Sequence, residues 1–142
     1  MAKSNLRLLV VDDDSDICEV VKTHLNWRGF DRIEVAASAQ DALEKCKKAP
    51  FDIILSDVKM PEKTGVDFLR EIKKERGETV VIMITGNSAL KDVVACQALG
   101  ALDFVFKPFG SFADLDAVMA RAVEIIDRWN GIVAKVKGVD IF

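Results

Sequence analysis

The sequence predicts an α/β fold: a parallel sheet of five strands with helices packed on both faces. Three observations predict it. Short apolar runs, Ile53-Ile54-Leu55 and Val80-Val81-Ile82-Met83-Ile84 the clearest, lack polar alternation and so read as strands buried on both sides. Other stretches carry apolar residues at helical spacing. The two kinds alternate along the chain, as parallel pairing through crossover helices requires.

Residues 6–11 form the first strand, which ends in Asp12-Asp13-Asp14. Ser15 or Asp14 can cap the next helix, which carries Ile17, Val20, Val21, His24 and Leu25 and is stopped by Gly29. Residues 33–36 are the second strand. Ser38 caps a helix with Ala42, Leu43 and Cys46 on one face, and Pro50 lies beyond its end. Residues 51–56 are the third strand, closing on Asp57. A loop through Met60-Pro61-Glu62-Lys63-Thr64-Gly65 leads to a helix with Val66, Phe68, Leu69 and Ile72, ended by Gly77. Residues 80–84 are the fourth strand, finishing on Thr85-Gly86. The following helix carries Leu90, Val93, Val94, Cys96 and Leu99, and Gly100 ends it. Residues 103–106 are the fifth strand, closing on Lys107-Pro108. Ser111 caps a last helix that carries Leu115, Val118, Met119, Ala122, Val123, Ile125 and Ile126. Right-handed crossovers leave few topologies. A flavodoxin-like, doubly wound (βα)5 sheet in the order 2-1-3-4-5 makes the first, third, fourth and fifth strands adjacent.

A chain of 142 residues favours one domain with a real core. Half the residues are hydrophobic and 30% are charged, a soluble globular balance. The net charge of −3 shows no basic excess, which disfavours direct nucleic-acid binding by this segment. The apolar runs fall well short of the ~20 residues a membrane span needs. Met1-Ala2-Lys3-Ser4-Asn5 lacks the apolar core of a signal peptide, so a cytoplasmic location is expected. Cys18, Cys46 and Cys96 are widely spaced, with no CxxC pair for zinc or redox chemistry, and read as small buried hydrophobes. The single histidine, His24, is either a packed helical side chain, the reading we favour, or a phosphotransfer residue.

The chemistry lies at the strand ends, because ligands of open α/β sheets bind outside the carboxyl ends of the strands. The first strand ends on Asp12 and Asp13, the third on Asp57, the fourth on Thr85 and the fifth on Lys107. A parallel sheet brings all of them to one edge. Each alone has a plainer explanation: Asp57 can start a turn, Asp12 to Asp14 can cap a helix, and Thr85-Gly86 and Lys107-Pro108 can be turns. The conjunction of all five residues at the same end of four strands is harder to dismiss. Three adjacent carboxylates repel one another unless a cation intervenes, and Mg²⁺ is the usual hard, oxygen-seeking ion. Asp57, the central carboxylate, is the candidate nucleophile for an aspartyl-phosphate. Lys107 can pair with a phosphoryl oxygen as a compact charge, and the Thr85 hydroxyl can donate to another.

With these residues the chain resembles the receiver domain of two-component response regulators, the CheY-like fold. The likeness rests on Leu9-Val10-Val11-Asp12-Asp13-Asp14, Leu55-Ser56-Asp57-Val58-Lys59-Met60-Pro61, Ile84-Thr85-Gly86, Gly100-Ala101-Leu102-Asp103-Phe104 and Lys107-Pro108-Phe109. It implies that Asp57 accepts a phosphoryl group from the phosphohistidine of a sensor histidine kinase or phosphotransfer protein. It implies a Mg²⁺ site formed by Asp12, Asp13, Asp57 and the backbone carbonyl of Lys59, with Thr85 and Lys107 on the phosphoryl oxygens. It also implies a cis Lys107–Pro108 bond. The family's switch couples Thr85 to an aromatic three residues before the lysine, here Phe104, and alters the surface of the fourth helix, fifth strand and fifth helix. That surface would engage a downstream protein, an output domain or a second copy in a homodimer. Many relatives carry Tyr at this position, and Phe104 lacks its hydroxyl. Phe104 is otherwise a plain core residue. Lys59 is a second departure, since relatives often carry a neutral or acidic residue there.

The resemblance implies a receiver domain over residues 1–129, with 130–142 a C-terminal tail or the start of a linker. Such domains promote their own phosphorylation without turning over a free substrate, so an enzyme is not expected. A haloacid-dehalogenase-type hydrolase needs an acid two residues after its nucleophile, where this chain has Lys59. A nucleotide-binding module needs a phosphate loop, and neither GxGxxG nor GxxxxGK[ST] occurs. A phosphorylation-independent pseudo-receiver is the remaining alternative, and the complete set Asp12, Asp13, Asp57, Thr85 and Lys107 speaks against it.

Overall fold

The structure, a computed structural model, describes residues 2–107 and 110–138. After a short 3₁₀ turn, five strands alternate with five helices: β1 (Arg7–Val11), α1 (Ser15–Trp27), β2 (Arg32–Ala36), α2 (Ala39–Lys48), β3 (Ile53–Asp57), α3 (Gly65–Glu75), β4 (Val80–Thr85), α4 (Leu90–Ala98), β5 (Asp103–Phe106) and α5 (Ala113–Val136). The strands are parallel in the order β2-β1-β3-β4-β5, as expected. The expected cis Lys107–Pro108 bond lies outside the described residues.

The pleat divides the apolar strand residues between two cores. Leu8, Val10, Ile53, Leu55, Ile82, Ile84 and Val105 pack under α1 and α5. Leu9, Val11, Ile54, Val81 and Met83 pack under α2, α3 and α4. Every residue of β3 and β4 is buried, which is why their sequences show no polar alternation. Truncating one of these side chains, such as Leu55→Ala, costs about 3 kcal/mol.

The helix signals act as read, with some shifts. Asp14, not Ser15, caps α1: its carboxylate accepts from the N–H groups of Asp16 and Ile17. Gly29 follows α1 at φ +101°, a left-handed conformation that favours glycine. Ser38 caps α2 through the Asp41 N–H. Thr64 and Asp67 form a reciprocal capping box on α3. Ser111 is not the N-cap of α5; Phe112 occupies that position, and the Ser111 hydroxyl accepts only a 3.4 Å bond from the Ala113 N–H.

Three residues read into helix cores are not there. Val20 on α1 and Leu90 and Val94 on α4 are exposed, and Cys96 is the buried residue of α4. Periodicity draws an apolar stripe wider than the strip a helix buries against a sheet. The α5 helix continues without a break through residues 130–136, and Trp129, Val133 and Val136 are exposed there. The three cysteines are free and buried, as expected. Burial pushes each thiol up to about 11. No helix among the described residues is long and apolar enough to cross a membrane.

Candidate functional site

The parallel register brings the strand ends together. The β1 chain leaves the sheet after Val11, and the Asp12 N–H donates to the Ala36 carbonyl of β2 at 3.1 Å. Asp12 is therefore anchored at the mouth of the sheet, and its side chain is buried. Its Oδ1 accepts the Asp14 N–H at 2.9 Å, which turns the chain toward α1. Asp13, between them, is exposed. Asp57 is the last residue of β3 and only 7% exposed. One carboxylate oxygen each from Asp12, Asp13 and Asp57 lies within 4.8 Å of the others.

Lys107 answers this charge only in part. Its Nζ donates to Asp12 Oδ2 at 2.7 Å and stands 3.6 Å from Asp57 Oδ2. Burial pulls the Lys107 ammonium down, but the Asp12 hydrogen bond and the charges of Asp57 and Asp12 outweigh it and hold the ammonium above its ordinary value. Burial, and then the neighbouring Asp12 charge, push the Asp57 carboxyl up from its usual 3.8. Lys107 and backbone hydrogen bonds from Lys59 and Val58 oppose that shift without cancelling it. Among the described residues Asp12 and Asp57 thus share one ammonium, with Asp13 beside them. An all-oxygen donor set with excess negative charge fits a small, hard divalent cation.

Thr85 ends β4 and is buried, and its hydroxyl is engaged by residues of the loop that follows. Its hydroxyl lies 2.6 Å from the Ser88 hydroxyl and accepts the Asn87 N–H at 3.2 Å. Its carbonyl accepts the Lys107 N–H at 2.8 Å, tying the ends of β4 and β5 together. Phe104 of β5 is half-buried against the core beneath α2, α3 and α4. The Lys59 side chain is exposed. His24 is packed: its Nε2 is 2.7 Å from Asp116 Oδ1, and its ring stacks on Phe112 at 3.9 Å between centroids.

Two features escape sequence reading. A Cβ on Gly65 would stand 2.0 Å from the Asp57 carbonyl oxygen and 2.9 Å from the Val58 Cα, so only glycine fits. The Gly65 N–H donates to the Val58 carbonyl at 2.9 Å, pinning the start of α3 against the residue that follows the central carboxylate. The second is the grip of Ser88 and Asn87 on Thr85. The Thr-x-x-Ser spacing was its one signal.

The model of the response regulator receiver domain matches residues 8–120. The transcriptional regulatory protein ZraR of Escherichia coli K12 is 34% identical over 123 residues, 87% of this chain and 27% of that protein, so the chain spans about a quarter of that relative. A response regulator receiver domain protein from Clostridium thermocellum superposes with a TM-score of 0.78 at 30% identity, covering 89% of this chain and 98% of that one. The response regulator TrrA from Thermotoga maritima, solved in complex with Mg²⁺–BeF, gives a TM-score of 0.74 at 29% identity, covering 82% and 98%. With a family match across most of its length, the CheY-like strand order and the acidic strand-end cluster, this chain belongs to the response regulator receiver domain family.

Proposed function

We propose that the chain is a phosphoacceptor switch: Asp57 takes a phosphoryl group from the phosphohistidine of a sensor kinase or phosphotransfer protein. The observation that carries this reading is the cluster itself, three carboxylates within 4.8 Å of one another and a single ammonium at 2.7 and 3.6 Å. An Asp57 oxygen attacks phosphorus; the O–P bond forms as the P–N bond breaks, and its electron pair leaves with the imidazole nitrogen. Lys107 offsets charge on the phosphoryl oxygens, and Thr85 donates a hydrogen bond to one of them. Asp12, Asp13 and Asp57, with the Lys59 carbonyl, would hold Mg²⁺, and the ion would supply positive charge that offsets the crowded carboxylates and the transferred group.

The output we assign to the face of α4, β5 and α5. Leu90, Val94 and Phe106 are exposed there, and Phe104 lies beneath. Movement of Thr85 and Phe104 would reshape that face toward a downstream protein, an output domain or a second copy. In this reading residues 1–129 form a cytoplasmic receiver, residues 130–142 are a C-terminal tail or the start of a linker, and the domain turns over no free substrate. It has no direct contact with nucleic acid or membrane.

Intact mass after incubation with acetyl phosphate and Mg²⁺ tests this. A gain of one phosphoryl group is expected, lost in Asp57→Asn and lost with EDTA. A folded wild-type protein that gains nothing would point instead to a phosphorylation-independent interaction module.

A further inference from the structure

We propose that Ser88 is a positioning residue: it holds the Thr85 hydroxyl away from Asp57 and must release it before Thr85 can serve a phosphoryl group. The inference rests on the receiver reading above. The register pairs Asp57 with Ile84, so Thr85 stands one residue further along β4. Side chains alternate along a strand, and Thr85 therefore leaves the sheet on the side of Val81 and Met83, opposite to Asp57. The hydrogen bonds agree. The Thr85 hydroxyl engages the Ser88 hydroxyl at 2.6 Å and the Asn87 N–H at 3.2 Å, and among the described residues it makes none with Asp57 or Lys107.

The Thr85 carbonyl is bonded to the Lys107 N–H at 2.8 Å, which ties its backbone to the end of β5. The remaining freedom is rotation of the side chain. A threonine hydroxyl has one proton and two acceptor sites. Asn87 takes one acceptor site, and Ser88 engages the proton or the second site. Rotation toward the phosphoryl group breaks both bonds. Thr85 is 1% exposed, so water does not replace the lost partners, and the move is favourable only once a better acceptor is present. A phosphoryl oxygen is such an acceptor, since its bond to the hydroxyl is charge-assisted. Ser88 is only half-buried and turns to solvent when it is released. It thus sets a threshold that phosphoryl arrival must overcome.

The test is the rate of phosphoryl gain from acetyl phosphate with Mg²⁺, read by intact mass. The proteins compared are wild type, Ser88→Ala, Ser88→Thr, Thr85→Ala and the Ser88→Ala/Thr85→Ala double variant, the last two over a longer time course. Loss of one neutral hydrogen bond predicts a gain about five-fold faster in Ser88→Ala. Ser88→Thr, which keeps the hydroxyl, should return to the wild-type rate. In the Thr85→Ala background the Ser88 substitution should have no effect. A Ser88→Ala rate equal to or below wild type, or the same acceleration without Thr85, would overturn the proposal and leave the receiver reading standing. A wild-type protein that gains no phosphoryl group would overturn both.

Discussion

The two edges of the sheet are built from the same strands and solve opposite problems. At the amino edge charged and polar groups pair with one another and with backbone carbonyls. The Arg7 N–H donates to Asp52 Oδ2 at 2.8 Å, and the Arg7 guanidinium reaches the Pro50 carbonyl and Glu34 Oε2. The Thr79 hydroxyl donates to the Phe51 carbonyl at 2.9 Å, and Lys73 Nζ donates to the Thr79 carbonyl at 2.6 Å. A largely apolar cavity of about 830 Å³, lined by Phe51, Val80, Leu102 and Trp129 among others, lies beside it. At the carboxyl edge Asp12, Asp13 and Asp57 cluster, and among the described residues Lys107 is the one cation paired with them, through Asp12 and Asp57. A closed edge supports the sheet. An edge with uncompensated charge invites a cation and an anion that travels with it.

Gly65→Ala should produce the largest break in this contrast. The new methyl would collide with the Asp57 carbonyl and Val58, both backbone, so β3 or α3 must shift. We expect a loss of about 3 kcal/mol, read as a fall in urea midpoint, together with slower phosphoryl gain because the displaced residue carries the proposed nucleophile. An alanine variant as stable as wild type would show that the two segments separate easily and that the carboxyl edge is not rigidly held.

Asp57→Asn should move stability the other way in metal-free protein. Its carboxyl is raised in the folded state, by burial and then by Asp12, so the folded protein holds that proton more tightly than the unfolded chain. The sign follows from linkage: this group's contribution is fully present below the usual carboxylate value and is lost as pH rises through the raised one. The asparagine variant has no such loss. Near neutral pH with EDTA it should exceed wild type by about 1 kcal/mol, or roughly 3 °C in Tm. The gap should close as pH falls through the carboxylate range. Mg²⁺ should raise the wild-type Tm more than that of the variant. A variant less stable than wild type at neutral pH would mean that Lys107 already balances the edge.

Thr79→Val probes the other edge. It removes one buried hydrogen bond to the Phe51 carbonyl, so a loss of about 1 kcal/mol is expected. Phosphoryl gain should stay at the wild-type rate, because no charge at the carboxyl edge changes. A slowed gain would mean that the two edges are coupled through β4.

What was legible in the sequence divides along the same line. The unalternating runs of β3 and β4 show their double burial, and parallel topology alone carries Asp12, Asp57 and Lys107 to one edge. The ends of α5 and the exposure of Val20, Leu90 and Val94 were not legible, since periodicity marks which face is apolar but not how much of it the sheet covers. Gly65 reads only as a loop glycine. Its necessity comes from how closely the chain returns to Asp57, a distance no local pattern encodes. The strand-end rule groups Thr85 with the carboxylates, yet the pleat turns its hydroxyl to Ser88.

The smallest effect belongs to Lys59, an exposed residue two positions after the proposed nucleophile. Its backbone helps to stabilise the Asp57 carboxylate, and substitution leaves that contribution in place. What Lys59→Ala removes is an exposed cation two residues from the proposed phosphorylation site, too solvated to bind a phosphoryl group firmly. Exposed charge interactions of this kind are worth well under 1 kcal/mol, so the effect should be about two-fold. It should fall on the lifetime of the phosphorylated protein, shortening it, while the yield of phosphorylation changes less. Autodephosphorylation followed by intact mass after removal of acetyl phosphate measures this directly. An unchanged half-life would show that the exposed lysine takes no part in managing the charge of the carboxyl edge.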